Sequence, residues 1–80
     1  MNQQEIFNKF VAIAAEHFDM PIEEVKPESH FVDDLGCDSL DIVEITMEAE
    51  KQFQTSFQDS EVEELTTVQS LVELIEKKLN

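Results

Sequence analysis

The strongest helical pattern in this chain lies in residues 38–53, which read DSLDIVEITMEAEKQF. At about 100° per residue, the side chains of this segment separate into three faces. The face predicted to meet a core is formed by Ile42, Ile45, Thr46, Ala49 and Phe53. An acidic face is formed by Asp38, Asp41, Glu44 and Glu48. A third, apolar strip, which we expect to be at least partly exposed, is formed by Leu40, Val43 and Met47. The segment predicts a helix over residues 39–53 with Asp38 as its N-cap.

The same period occurs upstream of this segment, where it predicts a first helix over residues 3–18. Asn2 and Glu5 have the spacing of a capping box at its start, and Met20-Pro21 is expected to end it. The apolar face of this helix is formed by Ile6, Phe10, Ile13, Ala14 and Phe18.

Downstream, two further helices are predicted from capping boxes. Ser60 and Glu63 indicate a short helix near residues 60–64, and Thr66 and Gln69 indicate a last helix over residues 67–79. The core stripe of the last helix is formed by Val68, Leu71, Val72, Ile75 and Leu79. No segment alternates apolar and polar residues as a strand does. The prediction is an all-α fold, a small four-helix bundle of three longer helices and one short helix, in one domain over residues 1–80.

A long first loop, residues 21–37, separates the first two helices. It contains both prolines and the only glycine, Gly36. We expect Val25, Phe31 and Leu35 to anchor it to the core. A loop of this length inside a small domain is often functional.

The charge of the chain excludes several kinds of partner. Nineteen acids against five lysines and no arginine give a formal net charge of −14. Nucleic acids and anionic membrane surfaces require basic residues, so neither is expected to bind. Complementary charge favours basic protein partners.

No apolar run is long enough to span a membrane, and neither a signal peptide nor a pair of cysteines is present. We therefore expect a cytoplasmic monomer.

Ser39 is predicted to be exposed at the start of the second helix, three residues after Gly36. A catalytic role has little support, because the nucleophile-elbow motif is absent. The available bases are His17 and His30. We expect His17, on the first helix, to have a surface or boundary role, and His30 to act as a loop or capping residue. The unpaired N–H groups of a first helical turn favour a phosphate, so Ser39 suits a covalent phosphodiester, although Asp38 and Asp41 oppose one electrostatically.

The acids near Ser39 do not form a calcium-binding EF-hand. Placing Gly36 sixth puts Phe31 first and Ile42 twelfth, where Glu is required. Weak divalent binding by these carboxylates remains open, and no high-affinity metal site is predicted. Cys37 is interpreted as a small apolar filler, with oxidation to a disulfide-linked dimer as the alternative.

The motif Leu35-Gly36-x-Asp38-Ser39-Leu40-Asp41, preceded by Phe31-x-x-Asp34, resembles the attachment motif of acyl carrier proteins. The resemblance covers essentially the whole chain, including Glu23-Glu24-Val25 and the segment from Leu65 to Gln69. It implies a four-helix fold in which Ser39 bears a 4′-phosphopantetheine arm whose thiol holds acyl chains as thioesters. The protein is then a carrier and not an enzyme.

The resemblance also implies partners and the residues that meet them. The partners are a phosphopantetheinyl transferase, fatty-acid synthesis enzymes with basic docking patches, and the acyl chains. Asp38 is expected to help hold magnesium in the transferase complex. Partner recognition is assigned to Asp38, Leu40, Asp41, Val43, Glu44, Met47 and Glu48. The acyl cavity is assigned to Phe31, Ile42, Thr46, Ala49, Val62, Leu65 and Leu71.

Three functions compete at this point. The first is a free-standing carrier of fatty-acid biosynthesis, and the second is a carrier dedicated to polyketides or another lipid pathway. At Ala49, Val62 and Leu71 this sequence departs from the residues that are commonest in the family. The preferred length of the acyl chain therefore stays open. The third is an unmodified acidic adaptor that uses only its apolar strip.

Overall fold

The computed structural model describes residues 1–80 and contains four α-helices and no strands. The helices are α1 (Gln3–Phe18), α2 (Ser39–Phe53), α3 (Asp59–Glu63) and α4 (Val68–Leu79). A 3₁₀ helix, Ile22–Glu24, lies in the connection between α1 and α2. The predicted all-α fold, with one short helix and a long first loop, is confirmed.

Helix α1 begins at the predicted capping box. The Glu5 N–H donates to Asn2 Oδ1 at 2.9 Å, and the Asn2 N–H donates to Glu5 Oε1 at 3.0 Å. The helix ends because Asp19 adopts a left-handed conformation with φ of 53°. This residue, ahead of Met20-Pro21, turns the chain out of the helix.

The core lies on both sides of α1, which packs against α2 and α4. Ile6, Phe10 and Ala14 are buried as predicted. Val11 and Ala15 are also buried, whereas Ile13 and Phe18, which were assigned to the core face, are only half-buried. The buried face of α1 is wider than one stripe because two neighbouring helices cover it.

The long first loop is fixed to the start of α4 by backbone hydrogen bonds. The Phe31 N–H donates to the Thr66 carbonyl at 2.9 Å, and the Val68 N–H donates to the Ser29 carbonyl at 3.0 Å. The second bond gives an acceptor to the Val68 N–H, which has none within α4 because it lies in the first turn. The Phe31 ring packs edge-on against Phe10, with 6.2 Å between ring centroids. Val25 and Phe31, both buried, therefore anchor the loop to the core as predicted.

This pairing moves the start of α4 by one residue from the prediction. The N-cap is Thr67, whose Oγ1 accepts the Ser70 N–H at 3.1 Å, while Ser70 Oγ accepts the Thr67 N–H at 3.1 Å. The predicted box of Thr66 and Gln69 is wrong. Thr66 is held in the extended pairing with the loop, and the Gln69 side chain donates instead to Gln3 of α1.

Helix α3, by contrast, begins one residue earlier than predicted, and the proposed box of Ser60 and Glu63 is wrong. The Glu61 carboxylate accepts the backbone N–H of Gln58 at 2.8 Å. The same carboxylate oxygen lies 2.8 Å from Lys78 Nζ of α4. This ion pair between two helices selects Glu61 over Glu63 as the acid of the first turn.

Candidate attachment and recognition site

The chain reaches α2 through a tight turn that ends at Gly36. The Asp34 N–H donates to the His30 carbonyl at 2.9 Å, and the Gly36 N–H donates to the Val32 carbonyl at 3.1 Å. Gly36 has a φ of +70°, a left-handed conformation that residues with a Cβ rarely adopt. This glycine breaks the turn and allows the chain to start a new helix three residues later.

His30 stabilises that turn through its ring and its backbone. Its Nδ1 accepts the backbone N–H groups of Val32 and Asp33, each at 3.2 Å. Its own backbone N–H donates to Asp34 Oδ2 at 2.7 Å. The structure therefore gives His30 the capping role that the sequence favoured.

The two aspartates that flank Ser39 form a reciprocal capping box at the start of α2. The Asp41 N–H donates to Asp38 Oδ1 at 2.9 Å, and the Asp38 N–H donates to Asp41 Oδ2 at 3.2 Å. Both acids therefore have a structural role beside any role in recognition. The sequence predicted the cap by Asp38 but not the return bond from Asp41. Asp38 Oδ2 has no hydrogen-bond partner in the protein.

Ser39 is the first residue of α2, and its side chain is exposed. Its Oγ makes no hydrogen bond within the protein, and the N–H groups of Ser39 and Leu40 have no acceptor. A phosphate esterified to this oxygen would meet two free N–H donors and the positive end of the helix dipole. The residues present therefore fit a phosphodiester-linked arm.

The apolar strip of α2, which the sequence predicted to be at least partly exposed, is exposed in the structure. Leu40, Val43 and Met47 are 64 %, 47 % and 60 % exposed, which is unusual for large apolar side chains. Glu44 is exposed beside them, and Glu48 is half-buried. The apolar strip and the acidic face thus run side by side from Ser39 along the helix.

Asp41 has a neighbour that the sequence did not predict. His17 Nε2, in the last turn of α1, lies 3.2 Å from Asp41 Oδ1. The hydrogen bond from His17, followed by the one from the Asp38 backbone, holds the pKa of Asp41 below its usual value. No local pattern signals this contact, because the two residues are 24 positions apart.

Cys37 points into the core and is only 4 % exposed. Burial, with the negative charges of Asp41 and Asp38, raises the pKa of its thiol to about 11. A thiol that is buried and protonated is unreactive. The structure supports the interpretation of Cys37 as a small apolar filler.

A narrow cleft between the loop, α2 and the segment that follows α3 is lined by some of the residues that the sequence assigned to the acyl cavity. It is lined by Phe31, Ile42, Ile45, Thr46 and Leu65, which pack closely enough to leave no space for a water molecule. Four of these were predicted, and Ile45 was not. Thr46 Oγ1 donates to the backbone carbonyl of Ile42 at 2.8 Å, so its polar atom is satisfied inside the helix. Of the remaining predicted residues, Ala49 and Leu71 are buried in the core and Val62 is half-buried, outside this cleft.

Comparison with known proteins places these features in one family. Residues 8–75 match the family model described as "Phosphopantetheine attachment site". An acyl carrier protein from Thermosynechococcus vestitus is 43 % identical over 79 residues, which are 99 % of this chain and 98 % of that protein. The chain belongs to the acyl carrier proteins. A solved structure of the acyl carrier protein from Enterococcus faecalis, described as having high thermal stability, superposes with a TM-score of 0.80. The two sequences are 31 % identical, and the superposition covers 98 % of this chain and 99 % of the Enterococcus faecalis chain.

Membership of the acyl carrier proteins establishes the cofactor as 4′-phosphopantetheine. It also makes the chain a carrier of acyl groups. None of its four helices has both the length and the apolar character that crossing a bilayer requires.

Proposed function

We propose that Ser39 carries the 4′-phosphopantetheine arm and that the chain, as one acyl-carrier domain over residues 1–80, serves fatty-acid biosynthesis in the cytoplasm. When bound, the arm supplies a terminal thiol that holds acyl chains as thioesters. The observation that supports the attachment point most directly is the exposed Ser39 Oγ, free of hydrogen bonds at the first position of α2.

The attachment reaction needs an accessible hydroxyl and a place for the new phosphate. Ser39 Oγ attacks the phosphorus of coenzyme A that bears the pantetheine. The new P–O bond replaces a pyrophosphate P–O bond, adenosine 3′,5′-bisphosphate leaves, and the serine proton passes to a base of the transferase or to water. The N–H groups of Ser39 and Leu40 are free to receive the phosphate oxygens. The unpaired Oδ2 of Asp38 is available to a magnesium ion that the transferase brings, and magnesium prefers such carboxylate oxygens.

The attachment point is tested by incubating the apo-protein with a phosphopantetheinyl transferase, coenzyme A and magnesium, followed by intact-mass measurement. The wild type is expected to gain the mass of one arm, and Ser39→Ala none. Ser60→Ala removes another exposed serine and is the matched control, which should gain the arm normally. Because Ser39 Oγ makes no hydrogen bond, Ser39→Ala should keep the wild-type circular dichroism. Mass gain in Ser39→Ala, or none in the wild type, would contradict the proposal.

The acyl chain is proposed to enter the cleft beside α2. Ser39 and Ile42 are three residues apart on one helix, so their side chains are neighbours. The acyl chain would then pass Phe31, Thr46 and Leu65. It would extend toward Ala49 and Leu71, with Val62 at the edge of its path. The cleft has to widen for this, because its present width does not admit even a water molecule. Loading an octanoyl group is expected to shift the NMR signals of these residues more than those of the α1 surface.

The fatty-acid pathway is distinguished from specialised lipid pathways by the cargo itself. Intact-mass analysis of the protein from its own host should show the arm with saturated acyl chains that differ by two carbons. A polyketide or another acyl class would assign the carrier to a specialised pathway. Native protein without any arm would support the unmodified adaptor instead.

A further inference from the structure

A second cluster of chemically active side chains lies where the end of α1 meets the start of α2. His17 Nε2 and one carboxylate oxygen each of Asp41 and Glu44 lie within 4.8 Å of one another. The His17 and Asp41 atoms are 3.2 Å apart. Two ligand atoms bound tetrahedrally to zinc at about 2.0–2.1 Å lie roughly 3.3 Å from each other. The separation of this pair already suits a shared metal ion.

Contacts with the surrounding structure hold two of these ligands, Asp41 and His17, in place. Asp41 Oδ2 accepts the Asp38 backbone N–H at 3.2 Å, which leaves Oδ1 toward His17. Glu44 is three residues further along α2, on the same side of the helix. The His17 ring packs edge-on against Phe18, with 4.9 Å between centroids. Hydrogen bonds and contacts of this kind orient metal ligands and strengthen binding.

The cluster is also accessible and surrounded by negative charge. His17 and Glu44 line a groove of about 660 Å³ between α1 and α2, so water can complete the coordination of an ion. Glu16 and Glu48 line the same groove. Two lysines, Lys9 and Lys51, line the groove as well. Lys9 is engaged elsewhere, since its Nζ donates to the Gln52 carbonyl at 2.8 Å.

We propose that His17, Asp41 and Glu44 bind one divalent transition-metal ion of the zinc class. One imidazole nitrogen and two carboxylate oxygens suit such ions, whereas calcium and magnesium take oxygen ligands only. The bound ion joins α1 to α2 directly and neutralises two carboxylates in a chain of net charge −14. Because the three ligands come together only in the folded chain, binding stabilises the fold.

The test uses zinc chloride titrations of the full-length protein by isothermal calorimetry, cobalt chloride titrations by visible absorption, and melting temperatures. The wild type is expected to bind one equivalent of each ion and to melt at a higher temperature with zinc. His17→Gln should weaken zinc binding about tenfold or more. Removing only a residue that hydrogen-bonds to a metal ligand already lowers metal affinity by about that factor, and His17 is itself a ligand. The matched control is His30→Gln, which removes the only other imidazole and should keep the zinc affinity.

Two further comparisons separate this site from diffuse binding to the acidic surface. Glu44→Gln should also weaken zinc binding, while leaving the capping box of Asp38 and Asp41 intact. The melting shifts with calcium and magnesium should be the same in the wild type and in His17→Gln. Equal zinc affinity in the wild type and His17→Gln, or several weak equivalents without a saturable site, would overturn the proposal.

Discussion

Two residues only two positions apart, Cys37 and Ser39, lie in opposite environments. Cys37 is in the core, and Ser39 is exposed at the first position of α2. The difference arises because the left-handed turn at Gly36 directs the chain inward before the capping box starts the helix. The environment of each residue sets its chemistry: the hydroxyl is accessible for modification, whereas the thiol is protected from it.

The buried thiol predicts a loss of stability at alkaline pH. The thiol pKa is raised from 9.0 to about 11 in the folded protein, so the unfolded chain releases the proton first. The stabilising effect of the protonated thiol is complete below pH 9 and is lost as the pH rises toward 11. The free energy of unfolding should fall by up to about 1.4 kcal/mol per pH unit in this window.

Urea denaturation at pH 8, 9 and 10 measures this effect. Cys37→Ala is the control, because it removes the thiol while lysines and other groups titrate as before. The wild type should lose more stability than Cys37→Ala between pH 8 and pH 10. Parallel pH profiles for the two proteins would show that the thiol titrates normally.

At the scale of secondary-structure elements, α2 depends on its capping box. Replacing the side-chain acceptor of an N-cap by Ala costs about 1 kcal/mol. Asp38→Ala is therefore expected to lower the free energy of unfolding by about that amount. Asp38→Asn retains an oxygen acceptor for the Asp41 N–H, so its free energy of unfolding should fall by less than that of Asp38→Ala. Chemical denaturation followed by circular dichroism measures both, and equal stability of Asp38→Ala and wild type would argue against the cap.

The same helix is predicted to control docking through its acidic face. Glu44 is exposed and makes no hydrogen bond, so Glu44→Lys should leave the fold intact. It is expected to slow acyl transfer by partner enzymes about tenfold at low salt, because charge complementarity speeds encounter. The difference should shrink as salt is added.

Glu73→Lys is the matched control for this experiment, because it makes the same charge change on the exposed side of α4. It should transfer acyl groups at nearly the wild-type rate. Equal slowing in both variants would mean that net charge matters and the acidic face of α2 does not.

For the whole molecule, the net charge of −14 predicts salt-dependent stability. Nineteen acids on an 80-residue chain repel each other more in the compact state than in the unfolded state. Sodium chloride should raise the melting temperature by screening that repulsion. Magnesium should have the same effect at lower concentration, because it is divalent. Thermal melts followed by circular dichroism test this, and a melting temperature independent of both salts would contradict it.

The local structure of this protein follows from its sequence. The bounds of α1 and α2, the caps at Asn2 and Asp38, and the exposure of Ser39 all depend on residues within about four positions of each other. Helical periodicity and capping act over that range, so the pattern predicts them. The attachment motif is also contiguous, which is why the family was identifiable before the fold was known.

The tertiary structure decided what depends on residues far apart in the chain. The starts of α3 and α4 each moved by one residue, because Lys78 holds Glu61 and the loop holds Thr66. His17 meets Asp41, 24 positions away, only where α1 crosses α2. Such contacts depend on how helices pack and how a long loop folds back. Helical period and caps describe each helix alone, so they predict the helices but not the pairs of side chains that meet between them.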